Sequence, residues 1–115
     1  MNREIIKRTN AYKVEIFIGT GAKGYDGALN TCLAYCTEVG LCVTVDPTQY
    51  VYRSGHEPGV RVGLINYARF PTDQRILWNT ACDLAEFLKE ALGQGSYTVQ
   101  DHEISEFVST RNEDQ

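Results

Sequence analysis

No stretch of the 115 residues approaches the roughly 20 consecutive apolar residues that a membrane-spanning helix needs. The chain is therefore not expected to engage a membrane. Its first 13 residues hold Arg3, Lys7, Arg8 and Lys13 with no apolar segment behind them. They do not read as a secretory signal, and the expected location is the cytoplasm. Cysteine is sparse: Cys32, Cys36, Cys42 and Cys82 have neither a C-x₂-C spacing nor a histidine pair beside them. That excludes the usual zinc patterns, so no metal and no cofactor is expected. In a reducing compartment these are free thiols, and within apolar stripes they act as small hydrophobes. Basic charge is in deficit, with 11 Lys and Arg against 15 Asp and Glu and a net charge of −4. A net-acidic chain is poorly suited to polymeric nucleic acid, where phosphate neutralisation dominates affinity.

What is present is ordinary globular composition, 43% apolar and 23% charged. The length allows a single domain, residues 1–115, with a core over about 12–108 and a disordered tail over 111–115. Size scaling allows about 6,300 Å² of folded surface against about 18,700 Å² unfolded, enough burial for a core without staples. The charge is uneven. Residues 1–13 carry +3 and residues 101–115 carry −4. Such ends either pair, within or between subunits, or stay solvated.

Tyr12 to Ile18 alternates as a strand, with Val14, Ile16 and Ile18 on one face. A glycine-containing loop leads to a first helix over about 27–39, capped by Asp26 and ended by Gly40. Its apolar stripe is Leu29, Cys32, Leu33, Cys36 and Val39. Strands are expected over 41–46, 49–53 and 60–69, with turns at Pro47-Thr48 and over 54–59. Thr72 is the expected cap of a second helix, with Asp73 in its first turn. Its buried stripe is Ile76, Leu77, Ala81, Leu84, Phe87, Leu88, Ala91 and Leu92, and Gly93 ends it. A strand over 95–100 follows, and 103–108 is either a further strand or its continuation after a bulge. Two helices cannot cover both faces of such a sheet. The expected fold is α+β: a ferredoxin-like split β-α-β sandwich, an antiparallel sheet with both helices on one face. The other face is then wet or covered by a second subunit, and Ile65 and Tyr67 on it favour a homo-oligomer.

Gly19-Thr20-Gly21-Ala22-Lys23-Gly24 matches G-x-G-x-x-G between a strand and a helix. The chain is too short for a dinucleotide-binding sheet, and hairpins follow instead of a second β-α-β unit. The loop is either a flexible connection or an anion cradle in which Gly21 and Gly24 bring backbone N–H groups close and Lys23 adds charge. Arg53, Arg61, Arg69 and Arg75 give residues 47–75 a charge of +2, with Tyr50, Tyr52, Tyr67 and Phe70 interleaved. Guanidinium on phosphate and ring on base is one way to hold a nucleotide, although sheets are also rich in Arg and Tyr. His56-Glu57 and His102-Glu103 are adjacent pairs that point apart on extended backbone, so neither is a ready acid–base dyad. No serine or cysteine has the setting of a catalytic nucleophile.

The run Ile18-Gly19 to Gly24, the cysteine-bearing helix, the Thr44 to Tyr52 hairpin arm, His56-Glu57-Pro58-Gly59 and Leu92-Gly93-Gln94-Gly95-Ser96 together resemble one family. They look like the small phage anti-Thoeris sponge proteins of the first type and related small α+β proteins. That resemblance implies a homo-oligomer that sequesters cyclic ADP-ribose isomers or cyclic oligonucleotides and leaves them intact. The expectation is thus a phage-type anti-defence protein in the host cytosol, not an enzyme, binding a small cyclic nucleotide. The residues expected to bind it are Gly21, Lys23, Gly24, Tyr50, Tyr52, Arg53, Arg61, Tyr67 and Arg69, with no catalytic or metal-ligating residue. Two other readings are a small nucleotide-processing hydrolase using His56, Glu57 or His102, and an inhibitor of a host protein using the open sheet face.

Overall fold

Alternation in the first strand places Val14, Ile16 and Ile18 of β1 (Lys13–Gly19) on one face, where all three are buried. This strand is the centre of the molecule. In the computed structural model, which describes residues 3–115, the elements follow as α1 (Gly24–Val39), β2 (Thr44–Tyr52), β3 (Gly55–Ile65), α2 (Gln74–Leu92), β4 (Ser96–Gln100) and β5 (Ser105–Ser109). The strands form one antiparallel sheet in the order β2-β3-β1-β4-β5. Both helices lie against the same face, as expected for the split β-α-β sandwich, and β5 adds an edge strand.

The register builds the core. Val14, Ile16 and Ile18 stand opposite Leu64, Val62 and Val60 of β3, and Ile16 opposite Val99 of β4. Leu77, Ala81, Leu84, Ala85, Leu88 and Leu92 of α2 and Ala28, Cys32 and Tyr35 of α1 close over them. The helices are also tied by polar bonds: the Tyr35 hydroxyl lies 2.7 Å from Asp83 Oδ2, and Tyr97 of β4 lies 2.5 Å from Glu86 Oε2.

Several local expectations change. The two strands expected around Pro47 are one continuous β2, because β2 is an edge strand and a proline there costs no ladder bond on its free side. The broad turn expected over 54–59 shrinks to Arg53 and Ser54, with Ser54 at φ 74°. Pro58 sits inside β3, beyond the reach of β1, and its carbonyl accepts from Thr20 N–H at 3.1 Å. The following strand stops at Ile65. Asp73, not Thr72, caps α2 by accepting from Arg75 N–H at 2.8 Å. Helix α1 begins at Gly24 after a 3₁₀ turn, so Asp26 lies in its first turn and not at its cap.

The largest difference is the rotation of α1. Tertiary packing buries Ala28, Cys32 and Tyr35, and leaves Leu29, Leu33 and Val39 of the expected stripe 41–64% exposed. In α2, Ile76 and Phe87 are likewise exposed. Where a disordered tail was expected, Asn112–Asp114 form a 3₁₀ turn, with Arg111 Nε 2.8 Å from Asp114 Oδ2.

Candidate functional site

At the end of the sheet where β1 finishes, four segments meet: the loop after β1, the start of β3, the end of β2 and the turn between α2 and β4. Gly19 is the meeting point. A β-carbon placed there would stand 3.0 Å from Gln94 Oε1 and 3.6 Å from the Glu57 carboxyl group. Glu57 and Gln94 thus converge on the last residue of β1 from opposite neighbours. Gln94 also packs over Gly21, which has φ +57° and would clash with the Gln94 amide nitrogen at 2.8 Å if it carried a side chain. Thr20, almost fully buried, anchors this loop to Pro58.

Tyr50 completes the arrangement. Its ring lies across Gly59, where an added β-carbon would meet Tyr50 Cδ2 at 2.7 Å. Its hydroxyl donates to the Val60 carbonyl at 2.6 Å. Burial raises the phenol pKa, with hydrogen bonding at the Ile18 backbone and the Arg61 charge acting against that and Glu57 adding to it. The phenol therefore stays protonated at neutral pH. Tyr50, Glu57 and Arg61 occupy the face opposite the helices, by the register that pairs Tyr50 with Glu57 and Asp46 with Arg61. The result is a ledge offering a carboxylate, an aromatic face, a guanidinium and a carboxamide beside a glycine-rich loop. Defined hollows lie elsewhere: one of about 440 Å³ at the far end, lined by Thr9, Asn10, Tyr12, Asn66, Asp73 and His102 among others, and one of about 280 Å³ between α1 and β2.

The expected binding residues divide into three groups. Gly21, Lys23, Gly24, Tyr50 and Arg61 lie at this end. Lys23 is engaged, however: its ammonium donates to the Ala91 carbonyl at 2.6 Å, near the end of α2. Tyr52 and Arg53 are at the tip of the β2–β3 hairpin. Tyr67 and Arg69 are at the opposite end of the sheet, Tyr67 against Phe70 with ring centres 5.2 Å apart and Arg69 accepting through its carbonyl from Lys7. The structure does not bring these last four to the ledge: Tyr52 and Arg53 lie past Tyr50 at the hairpin turn, and Tyr67 and Arg69 follow the opposite end of β3. Glu57 was weighed in the sequence only beside His56, and Gln94 only within the Leu92–Ser96 run. The signal that pairs them is their glycine neighbours, Gly19 and Gly21, which leave room for longer side chains.

His56 points away from Glu57 and meets Gln49 Oε1 at 3.0 Å. His102 does contact Glu103, at 3.3 Å with both exposed, because residues 101–104 turn around the Asp101 side chain instead of running extended. Among the described residues no group of His, Cys, Asp or Glu is placed to hold a metal ion, and no helix is long and apolar enough to cross a membrane.

No family model and no curated protein matches the sequence. Two solved structures share the fold. A phage SAM lyase in its apo state superposes with a TM-score of 0.73 at 15% identity, covering 94% of this chain and 98% of that one. A phage SAM lyase in complex with S-methyl-5′-thioadenosine gives a TM-score of 0.68 at 16% identity, covering 93% and 97%. Both are phage proteins of the same α+β fold; neither is an anti-Thoeris sponge. The expectation that the chain is not an enzyme is corrected here. That expectation rested on the resemblance to the sponges, whereas over nearly its whole length the chain shares its fold with an enzyme, a phage SAM lyase.

Proposed function

We propose that the chain is a phage-type anti-defence enzyme that cleaves a sulfonium nucleoside of the S-adenosylmethionine class, on the ledge formed by Tyr50, Glu57, Arg61 and Gln94. The convergence of Glu57 and Gln94 on Gly19 carries this reading, within a fold shared end to end with a phage SAM lyase. The chemistry fits the residues. A carboxylate and an aromatic face suit the cationic sulfonium and ammonium groups. Arg61 suits the substrate carboxylate. The Gln94 amide offers both donor and acceptor to a nucleoside edge.

In the proposed reaction the bond between sulfur and the amino-acid chain breaks, and its electron pair returns to sulfur. The nucleoside leaves as neutral S-methyl-5′-thioadenosine. The four-carbon remainder balances either by giving up to a base the proton on the carbon adjacent to the one sulfur leaves, whose C–H pair becomes a carbon–carbon double bond, or by closing on its own carboxylate to a lactone. Positive charge disappears from sulfur along either route, so removing water from the ledge accelerates it. Because the ledge is open in one chain, a second copy finishes it in the homo-oligomer. The surface supports this: the chain exposes 7880 Å², about a quarter above the scaling expectation.

The test is incubation of purified protein with S-adenosylmethionine and quantitation of S-methyl-5′-thioadenosine by mass spectrometry. The isomeric co-products are told apart by vinyl protons in NMR. Product should form, and Glu57→Gln should lower its rate at least tenfold without changing the melting temperature. No product, or an unimpaired Glu57→Gln, overturns the proposal. Intact cyclic ADP-ribose isomers or cyclic oligonucleotides released from heated protein, without turnover, would also overturn it.

A further inference from the structure

Helix α1 and the segment that connects it to edge strand β2 leave an apolar groove that none of the described residues fills. Leu29, Leu33 and Cys36 form one wall and Leu41, Cys42 and Val43 the other, enclosing about 280 Å³. Leu33 is 64% exposed although it lies at the centre of the most apolar stripe of the helix. The groove leads from this connection onto Val45 at the start of β2, whose outer edge has no strand partner. An apolar groove that opens onto a free strand edge is geometry that accepts an added extended segment.

The same chain carries an unused segment of that kind. Residues 3–12 have no secondary structure, and Ile5 and Ile6 are 55% and 80% exposed. The base of this arm is held: Asn66 Nδ2 donates to Thr9 Oγ1 at 3.1 Å and to the Asn10 carbonyl at 2.8 Å, and Lys7 Nζ donates to the Arg69 carbonyl at 3.1 Å. These bonds tether the arm to the 66–72 loop, whose Tyr67 hydroxyl meets Cys42 at the mouth of the groove. Beyond the tether, Ile5 and Ile6 line an open hollow with Ala68 and Arg69, and the chain extends to 53 Å in one direction against 28–29 Å in the others. Charge matches as well. Arg3, Lys7 and Arg8 against Glu4 give the arm +2, whereas α1 carries Asp26 and Glu38 and no basic residue.

We infer that the α1–β2 groove is the docking site for the N-terminal arm of a second copy of this chain, with Ile5 or Ile6 seated between Leu33 and Val43. The arm adds as a strand to the free edge of β2 and its basic residues face α1. The exchange is independent of the reaction proposed above.

The groove carries its own reporters, Cys36 and Cys42, the second exposed and the first half-buried. An Ile6→Cys substitution in the full chain places a third thiol on the arm. Diamide, an azo oxidant, takes up two electrons and two protons as two thiols join. The expected product is an interchain disulfide between position 6 and Cys42 or Cys36. It should be visible on a non-reducing gel, reversed by reductant, and found as hybrid peptides when isotope-labelled and unlabelled chains are mixed. Leu33→Asp, at an exposed position, should lower its yield at least fivefold. Three results overturn the inference: a purely intrachain disulfide, no crosslink above that of the chain with Ile6, or a yield unaffected by Leu33→Asp.

Discussion

Gly59→Ala is the most incisive perturbation of the ledge, because the Tyr50 ring packs directly over the bare Cα of this glycine. An alanine β-carbon would meet Tyr50 Cδ2 and the Ile18 carbonyl oxygen, both at 2.7 Å. The Ile18 carbonyl is backbone of the central strand and cannot turn aside, so β1 and β3 must separate or the ring must leave. Overpacking of this kind costs about 2 kcal/mol. Expelling the ring also breaks the 2.6 Å bond from the Tyr50 hydroxyl to Val60, worth about 1 kcal/mol more. With an unfolding entropy of about 2.1 cal/mol/K per residue, a total of about 3 kcal/mol lowers the melting temperature of this chain by about 12 °C. Tyr50→Phe keeps the ring, loses only the hydroxyl bond, and should cost about 4 °C. Circular dichroism melts measure both, and production of S-methyl-5′-thioadenosine measures the consequence for the ledge. If Gly59→Ala melts within about 3 °C of the parent and keeps full activity, Tyr50 is not packed against Gly59 and the ledge described above is wrong.

Asp73→Ala removes the side-chain cap of α2 and should cost about 1 kcal/mol, a drop of about 4 °C, whereas Thr72→Ala should leave the cap intact. Burial pushes the Cys32 thiol up to about 12, with Cys36 adding to the shift. Its unfolded value is lower, so its contribution to stability is complete below about pH 9 and is lost as pH rises toward 12. An alkaline melt series should therefore lose less stability for Cys32→Ala than for the parent, and equal slopes would contradict the burial. A thiol reagent at pH 8 should modify exposed Cys42 before Cys32; the reverse order would do the same.

Much of the fold was legible because the decisive patterns are local. The alternation of Val14, Ile16 and Ile18, the two helical segments and the glycines at 40 and 93 require only neighbours along the chain. The element order then restricted the sheet to a split β-α-β arrangement with both helices on one face. Pro47 misled because a proline marks a turn or an edge equally well, and which one depends on whether a further strand lies outside it. The rotation of α1 was illegible for a similar reason. Leu29 and Leu33 form a better apolar stripe than Ala28, Cys32 and Tyr35, but Tyr35 gains a bonded partner in Asp83 of α2, and only packing against that helix reveals it.

The candidate site divides the same way. Its glycine-rich loop, Tyr50 and Arg61 stood out in the sequence, since small residues near a helix start and Arg beside Tyr are recognisable as types. By itself the sequence determined an acidic chain of two helices and an antiparallel set of strands with a conformationally permissive loop after the first of them; that the strands number five was decided by the merging of the two expected around Pro47. Only the tertiary structure decided that Glu57 and Gln94, 37 positions apart in the chain, meet at Gly19, and that Tyr67 and Arg69 are carried to the far end. Strand register sets which side chains share a face and an end, and register is fixed by contacts between residues distant in sequence.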